Sequence, residues 1–163
     1  MLATMFLKFE DPAIDGSSTA QGHQGEIEVL SWSHGFDQSS GPTRSAVGSG
    51  TMEQANHQHF SFTKYLDSAT SQILKLSWSG RQIGKATLTC FRSDSPSGLH
   101  PVKYLTVTLE HVVIFNYSVS SGPGDTPVEN ISLDYGIVQY TYTPQKGADG
   151  SSATHNLENR TIS

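Results

Sequence analysis

The chain has 163 residues, enough for one domain with a real core and too few for two comfortable ones. Charged residues make up 15% of it while Gly, Ser and Thr abound, which predicts a β-rich fold with many turns. A formal net charge of -5 offers no general attraction to nucleic acid or anionic lipid, so neither a nucleic-acid partner nor membrane insertion is expected.

The opening MLATMFLKFE has no basic leader and meets an acid early, so no signal peptide is expected. Residues 4–9 read as a short strand, and 10–25, rich in Asp, Gly and Ser, as turns. In 26–34 strand alternation places Ile27, Val29, Ser31 and Ser33 on one face and Glu28, Leu30, Trp32 and His34 on the other. Both faces carry apolar residues, as expected of a strand whose second face meets another subunit or lines a surface of small residues. Residues 35–52, GFDQSSGPTRSAVGSGTM, have no helical or strand period. A loop of that length inside a compact domain points to a functional segment or a disordered one.

Alternation returns in 57–64 around Phe60 and Phe62. Asp67 or Ser68 offers an N-cap, Ile73, Leu74 and Trp78 are spaced for one apolar helical face, and Gly80 suits the C-terminal stop. A helix of roughly three turns is marginal alone and must pack on the sheet. Residues 85–92 form the next strand, in which Ala86, Leu88 and Cys90 share a face. Cys90 is the sole cysteine, so it reads as a small buried hydrophobe and no internal disulfide can form. After a turn over 93–101, the long strand 104–120 changes apolar parity across His111, Val112 and Val113, which predicts a bulge or bend from one sheet into another. Residues 128–143 alternate again, with Ile131, Leu133, Tyr135 and Ile137 on one side, and Pro144 ends the run. Long strands shared by two sheets imply a sandwich or a closed barrel. The division expected is a domain over 1–146 and a polar, weakly patterned C-terminal tail over 147–163, open to ordering on assembly and far too short for an attached toxin domain.

Chemistry-bearing motifs are few. His57 and His59 would share one strand face, yet no third ligand stands at a recognised spacing, so no metal is assigned and they read as surface or interface histidines. There is no G-x-S-x-G elbow, H-E-x-x-H run or phosphate-cradling glycine motif, so no catalytic residue and no cofactor is assigned. Acids such as Glu26, Glu110, Glu129 and Asp134 read as solvated carboxylates rather than a glycosidase pair.

One set of blocks is more specific. MFLKFEDPAIDG, GEIEVLSWSHG, FSFTKYLDSAT, ATLTCFR, YLTVTLEHV and QYTYTPQ follow in an order that resembles the haemolysin-coregulated protein (Hcp) family, the inner tube of type VI secretion, over about residues 4–146. The chain departs from the family's glycine run after SWSHG, where it has GPTRSAVGSG, and from its C-terminal Gly-Trp segment, replaced around His155, Asn156 and Leu157. The resemblance implies a mainly β fold, a small β-barrel of two sheets with one flanking α-helix, assembling into a hexameric ring. It further implies rings stacked into a tube, a spike protein at the tip, a contractile sheath around it and small effector proteins in the lumen. Such a protein assembles in the cytoplasm and is then secreted. Pro42, Arg44 and Val47 in the protruding loop are the candidates for ring-to-ring contacts, and Ser31 and Ser33 for a lumenal surface facing cargo. The alternative is a monomeric β-barrel binding module for a small ligand or glycan. That module needs an apolar interior pocket, whereas a tube subunit needs a barrel filled by residues such as Phe60, Phe62, Leu88, Val107 and Leu133.

Overall fold

The computed structural model describes residues 4–38, 56–92, 102–144, 150–159 and 161–163. In chain order the elements are β1 (Met5–Glu10), β2 (Ile27–Glu28), β3 (Ser31–Ser33), β4 (Phe36–Asp37), β5 (Asn56–His57), β6 (Phe60–Tyr65), α1 (Thr70–Ser79), β7 (Ile83–Arg92), β8 (Val102–Ser120), β9 (Val128–Asp134), β10 (Ile137–Tyr142), β11 (Ser151–Asn156) and β12 (Thr161–Ile162).

Two antiparallel sheets share β8. The first runs β12-β11-β10-β8-β7-β1-β2, and the second runs β3-β6-β9 and then the C-terminal half of β8. The handover falls at the predicted parity change. Residues up to Val112 pair with β7, whereas those from Val113 pair with β9. His111 makes the bend with a φ of 55, an uncommon left-handed conformation for a side-chain-bearing residue.

The same switch of sheet divides two other stretches that alternation alone joins. Residues 26–34 are two strands: Val29 N–H donates to Met5 O on β1, and Leu30 N–H donates to Thr63 O on β6, so the chain crosses between sheets there. Leu30 and Ser31 are exposed in succession, alternation restarts, and Ser31 and Ser33 therefore do not share the buried side of Ile27 and Val29. Trp32 instead turns inward, stacked on Phe60 at 5.7 Å. Likewise 128–143 breaks at Tyr135 and Gly136, opposite the β8 bend, where Gly136 N–H donates to Glu110 O. The inward position passes from Tyr135 to Val138, not to Ile137. The stretch 57–64 also splits, because His57 pairs with Phe36 in a separate two-stranded ribbon of β4 and β5.

The inward faces form one apolar core, in which Phe60, Phe62, Leu88, Val107 and Leu133 are all buried. Helix α1 packs against β8 and contributes Ile73 and Leu76 to that core, with Ala69 just ahead of it. Trp78, expected on the apolar face, is 76% exposed. Ile73 and Leu76 lie three apart and face the strands, and a residue five beyond Ile73 points away from that line. The N-cap is Ala69, without a side-chain cap, rather than Asp67 or Ser68. Asp67 Oδ1 accepts from Ala69 N–H one step earlier, at 2.9 Å. Gly80 ends the helix as expected, at φ 65, with its N–H donating to Leu76 O. The C-terminal segment contributes β11, paired with β10 along its length, and β12 at the sheet edge.

Candidate functional site

Ser31 and Ser33 lie on the outer side of the second sheet, both exposed. The pairing register extends each into a row across the sheet: Ser31, Thr63, Asn130 and Ser118 in one, Ser33, Ser61, Ser132 and Asn116 in the next. Ser31 Oγ and Thr63 Oγ1 lie 2.6 Å apart, and Ser61 Oγ and Ser132 Oγ 2.9 Å apart, so neighbouring strands share their hydroxyls. All eight side chains are neutral hydroxyls or amides. They present donors and acceptors without charge. Sequence reasoning found two of the eight. Four of the others were signalled by the same alternation, since Ser61 and Thr63 interleave with Phe60 and Phe62, and Asn130 and Ser132 with Ile131 and Leu133.

The charges of those strands are turned inward. Lys64 continues the parity of Phe60 and Phe62, and Glu129 that of Ile131 and Leu133, and the two are cross-strand partners. Both are fully buried, with Lys64 Nζ 2.5 Å from Glu129 Oε1. Glu129 is thus not a solvated acid. Lys64 Nζ also donates to Asp67 Oδ1 at 2.7 Å, while Thr70 Oγ1 and the Tyr117 hydroxyl donate to the two oxygens of Glu129. Burial, with the Glu129 carboxylate beside it, pushes the Tyr117 phenol well above its ordinary range. A buried ion pair with its remaining lone pairs satisfied fastens the start of α1 to β6 and β9.

A second polar cluster lies where the β4–β5 ribbon meets β10 and β11. His34 Nδ1 lies 2.5 Å from the Tyr140 hydroxyl and its Nε2 2.6 Å from the Tyr135 hydroxyl. His57 Nδ1 lies 2.6 Å from the same Tyr135 hydroxyl, and its Nε2 2.7 Å from His155 Nδ1. His57 is therefore a member of a half-buried network and not a simple surface histidine. His59 stands apart, stacked on Phe115 at 3.9 Å. Burial and the neighbouring His57 push His34 down to about 4, and burial and the neighbouring His155 lower His57. Burial also raises the Tyr140 phenol to about 12 and pushes the Tyr135 phenol well above its ordinary range, so these two histidines and two tyrosines favour their neutral forms. The cluster was missed because its members come from five separate places in the chain. Among the described residues, no group of three or more His, Cys, Asp or Glu is arranged to hold a metal ion.

An open groove of about 440 Å³ lies between residues 4–5, 17–18, 28–30 and 65–67, with Leu30, Tyr65 and Leu66 partly exposed along it. It opens on the surface, and the core residue Val29 shares its wall with Thr4, Ser17, Glu28 and Asp67. Cys90 is buried as expected, and burial raises its thiol pKa, which leaves it an inert hydrophobe. Pro42, Arg44 and Val47 lie outside the described residues.

Comparison with known proteins gives a consistent result. A family model described as "Type VI secretion system effector, Hcp" matches residues 6–142. The chain is 37% identical to "Protein hcp1" of Pseudomonas aeruginosa over 152 residues, covering 93% of this chain and 89% of that protein. Among solved structures it is similar to Hcp1 from Salmonella typhimurium, with a TM-score of 0.80 and 27% identity over 99% of each chain. A type VI secretion system effector from Yersinia pestis shares the fold at 24% identity and a TM-score of 0.75, over 93% of this chain and 98% of that one.

Proposed function

The chain belongs to the Hcp family of type VI secretion, and from that premise we propose that it is a tube subunit whose Ser31 and Ser33 face lines the channel. Six copies close into a ring, rings stack into a tube, and the tube leaves the cytoplasm with a spike protein at its tip and a contractile sheath around it. Ring closure needs a different patch on each flank of the protomer, and it needs no catalytic residue and no cofactor. The tube domain is carried by residues 1–146, and the polar segment beyond it contributes strands at the sheet edge.

The observation that carries the proposal is the pair of neutral polar rows. A wall of short hydroxyls and amides can hydrogen-bond a small effector protein at many points, while no exposed charge or large apolar side chain within the two rows would trap it. The filled barrel supports the same conclusion. Phe60, Phe62, Leu88, Val107 and Leu133 occupy the interior that a monomeric module for a small ligand or glycan would have to leave open.

Stacking is assigned to the segment between β4 and β5, through Pro42, Arg44 and Val47. Electron microscopy of the purified Arg44→Asp variant tests it: rings are expected to persist while tubes are lost. Unchanged stacking would remove the loop from the assembly.

A further inference from the structure

The β4–β5 ribbon is short, with Phe36 paired to His57 and Asp37 to Asn56, and its strands pair with each other rather than with either large sheet. Its attachment to the body runs through side chains. His34, just before β4, and His57, within β5, reach Tyr135, Tyr140 and His155, which belong to the β9–β10 connection, β10 and β11. Phe36 packs its ring edge-on against His34, His57 and Tyr140.

The five groups form a line of four hydrogen bonds in the order Tyr140, His34, Tyr135, His57, His155. When all are neutral, each has one proton to give, and the line can be satisfied in one direction throughout: Tyr140 donates to His34, His34 to Tyr135, Tyr135 to His57, and His57 to His155. One added proton on any imidazole is also accommodated, because the bonds beyond it simply point away from the new cation. A second is not. With His57 and His155 both charged, two N–H groups face each other across 2.7 Å. With His34 and either of the others charged, the Tyr135 oxygen receives two N–H groups and its own proton loses its acceptor within the line.

We propose that this line is a proton-operated latch, which holds the β4–β5 ribbon against β10 and β11 with up to one extra proton and releases it on taking up a second. It extends beyond the tube assignment and does not depend on it. Repulsion between two imidazolium rings in a half-buried site adds to the lost bond. The titratable groups facing the two ribbon histidines are each other, Tyr135, Tyr140 and His155. Asp134 acts on Tyr135, and Asp37 on the ribbon is exposed. Because His34 and His57 both titrate below the ordinary 6.5, the unfolded or unlatched chain binds protons more readily. The stabilisation is therefore complete above that pH and is lost as pH falls toward the about 4 of His34.

Hydrogen exchange on the whole protein, corrected for the intrinsic pH dependence of exchange, tests the latch at about pH 7.5 and about pH 4.5. The reporters are the ribbon amides, including Gln58 N–H, which donates to Gly35 O, and the controls are amides of β7 and β8. The ribbon is expected to lose protection roughly tenfold at the acid pH, about the effect of one lost hydrogen bond, while β7 and β8 keep theirs. Tyr135→Phe, which removes the central link, should exchange fast in the ribbon at both pH values. His155→Gln, which keeps an acceptor for His57 but cannot charge, leaves only the His34–His57 pair able to take the second proton and should lose less protection at the acid pH than the natural protein. Equal ribbon protection at the two pH values in the natural protein, parallel loss in β7 and β8, or acid release undiminished in His155→Gln would each overturn the proposal.

Discussion

Lys64 and Glu129 face each other on the inward sides of β6 and β9, with Asp67, Thr70 and Tyr117 completing their hydrogen bonds. Removing one partner leaves a charge in the core, so Lys64→Met is expected to lower unfolding stability by about 3 kcal/mol in denaturant titration. The double variant Lys64→Met with Glu129→Leu should recover a large part of that loss, because the stranded carboxylate is gone. A single variant as stable as the natural protein would show that the pair is not buried as described. Alternation carries Lys64 on from Phe62 and Glu129 back from Ile131, yet Glu129 reads in the sequence as a solvated acid because charges ordinarily face water. What it could not supply is the register that makes the two partners, since that depends on which strands become neighbours. The same applies to the polar face: Ser31 and Ser33 were legible, but their continuation through Thr63, Asn130 and Ser118 required the order of strands. His34, Tyr135, Tyr140 and His155 left no local signal, because hydrogen bonds between residues about a hundred positions apart leave no spacing to read.

Strand crossings decide where alternation can be trusted. The parity change at His111 was visible because β8 is long and apolar on both sides of the bend, so the shift stood out within one run. The crossings at 29–30 and 135–136 were hidden, because Leu30 beside Ser31 and Tyr135 beside Gly136 fit an unbroken alternation equally well. In α1 the cap glycine was legible from its chemistry and Ile73 was rightly placed on the buried face, but Trp78 is an apolar residue on the solvent side. Truncation separates the two faces. Ile73→Ala is expected to cost about 2–5 kcal/mol by opening a cavity in the core, whereas Trp78→Gln should change stability by no more than about 0.5 kcal/mol. Thermal or denaturant unfolding measures both, and a large loss from Trp78→Gln would mean that the helix presents a different side to β8.

At the scale of the molecule, two sheets joined by the bend of β8 produce a filled barrel with one small neutral face, a flanking helix and a ribbon fastened by side chains. A filled interior moves function to the surfaces, and membership of the Hcp family ties the chain to type VI secretion. The fold class and family were legible because several sequence blocks in fixed order constrain a topology far more than any one motif does. Copy number has no residue pattern of its own and entered only as what the family resemblance implies, since closure of a ring is set by the angle between two flanks of the protomer. Mass photometry of the purified protein, followed by electron microscopy of the same sample, measures it directly: a population of closed rings of six 17.6 kDa chains is expected, and a protein that stays monomeric at high concentration would contradict the account.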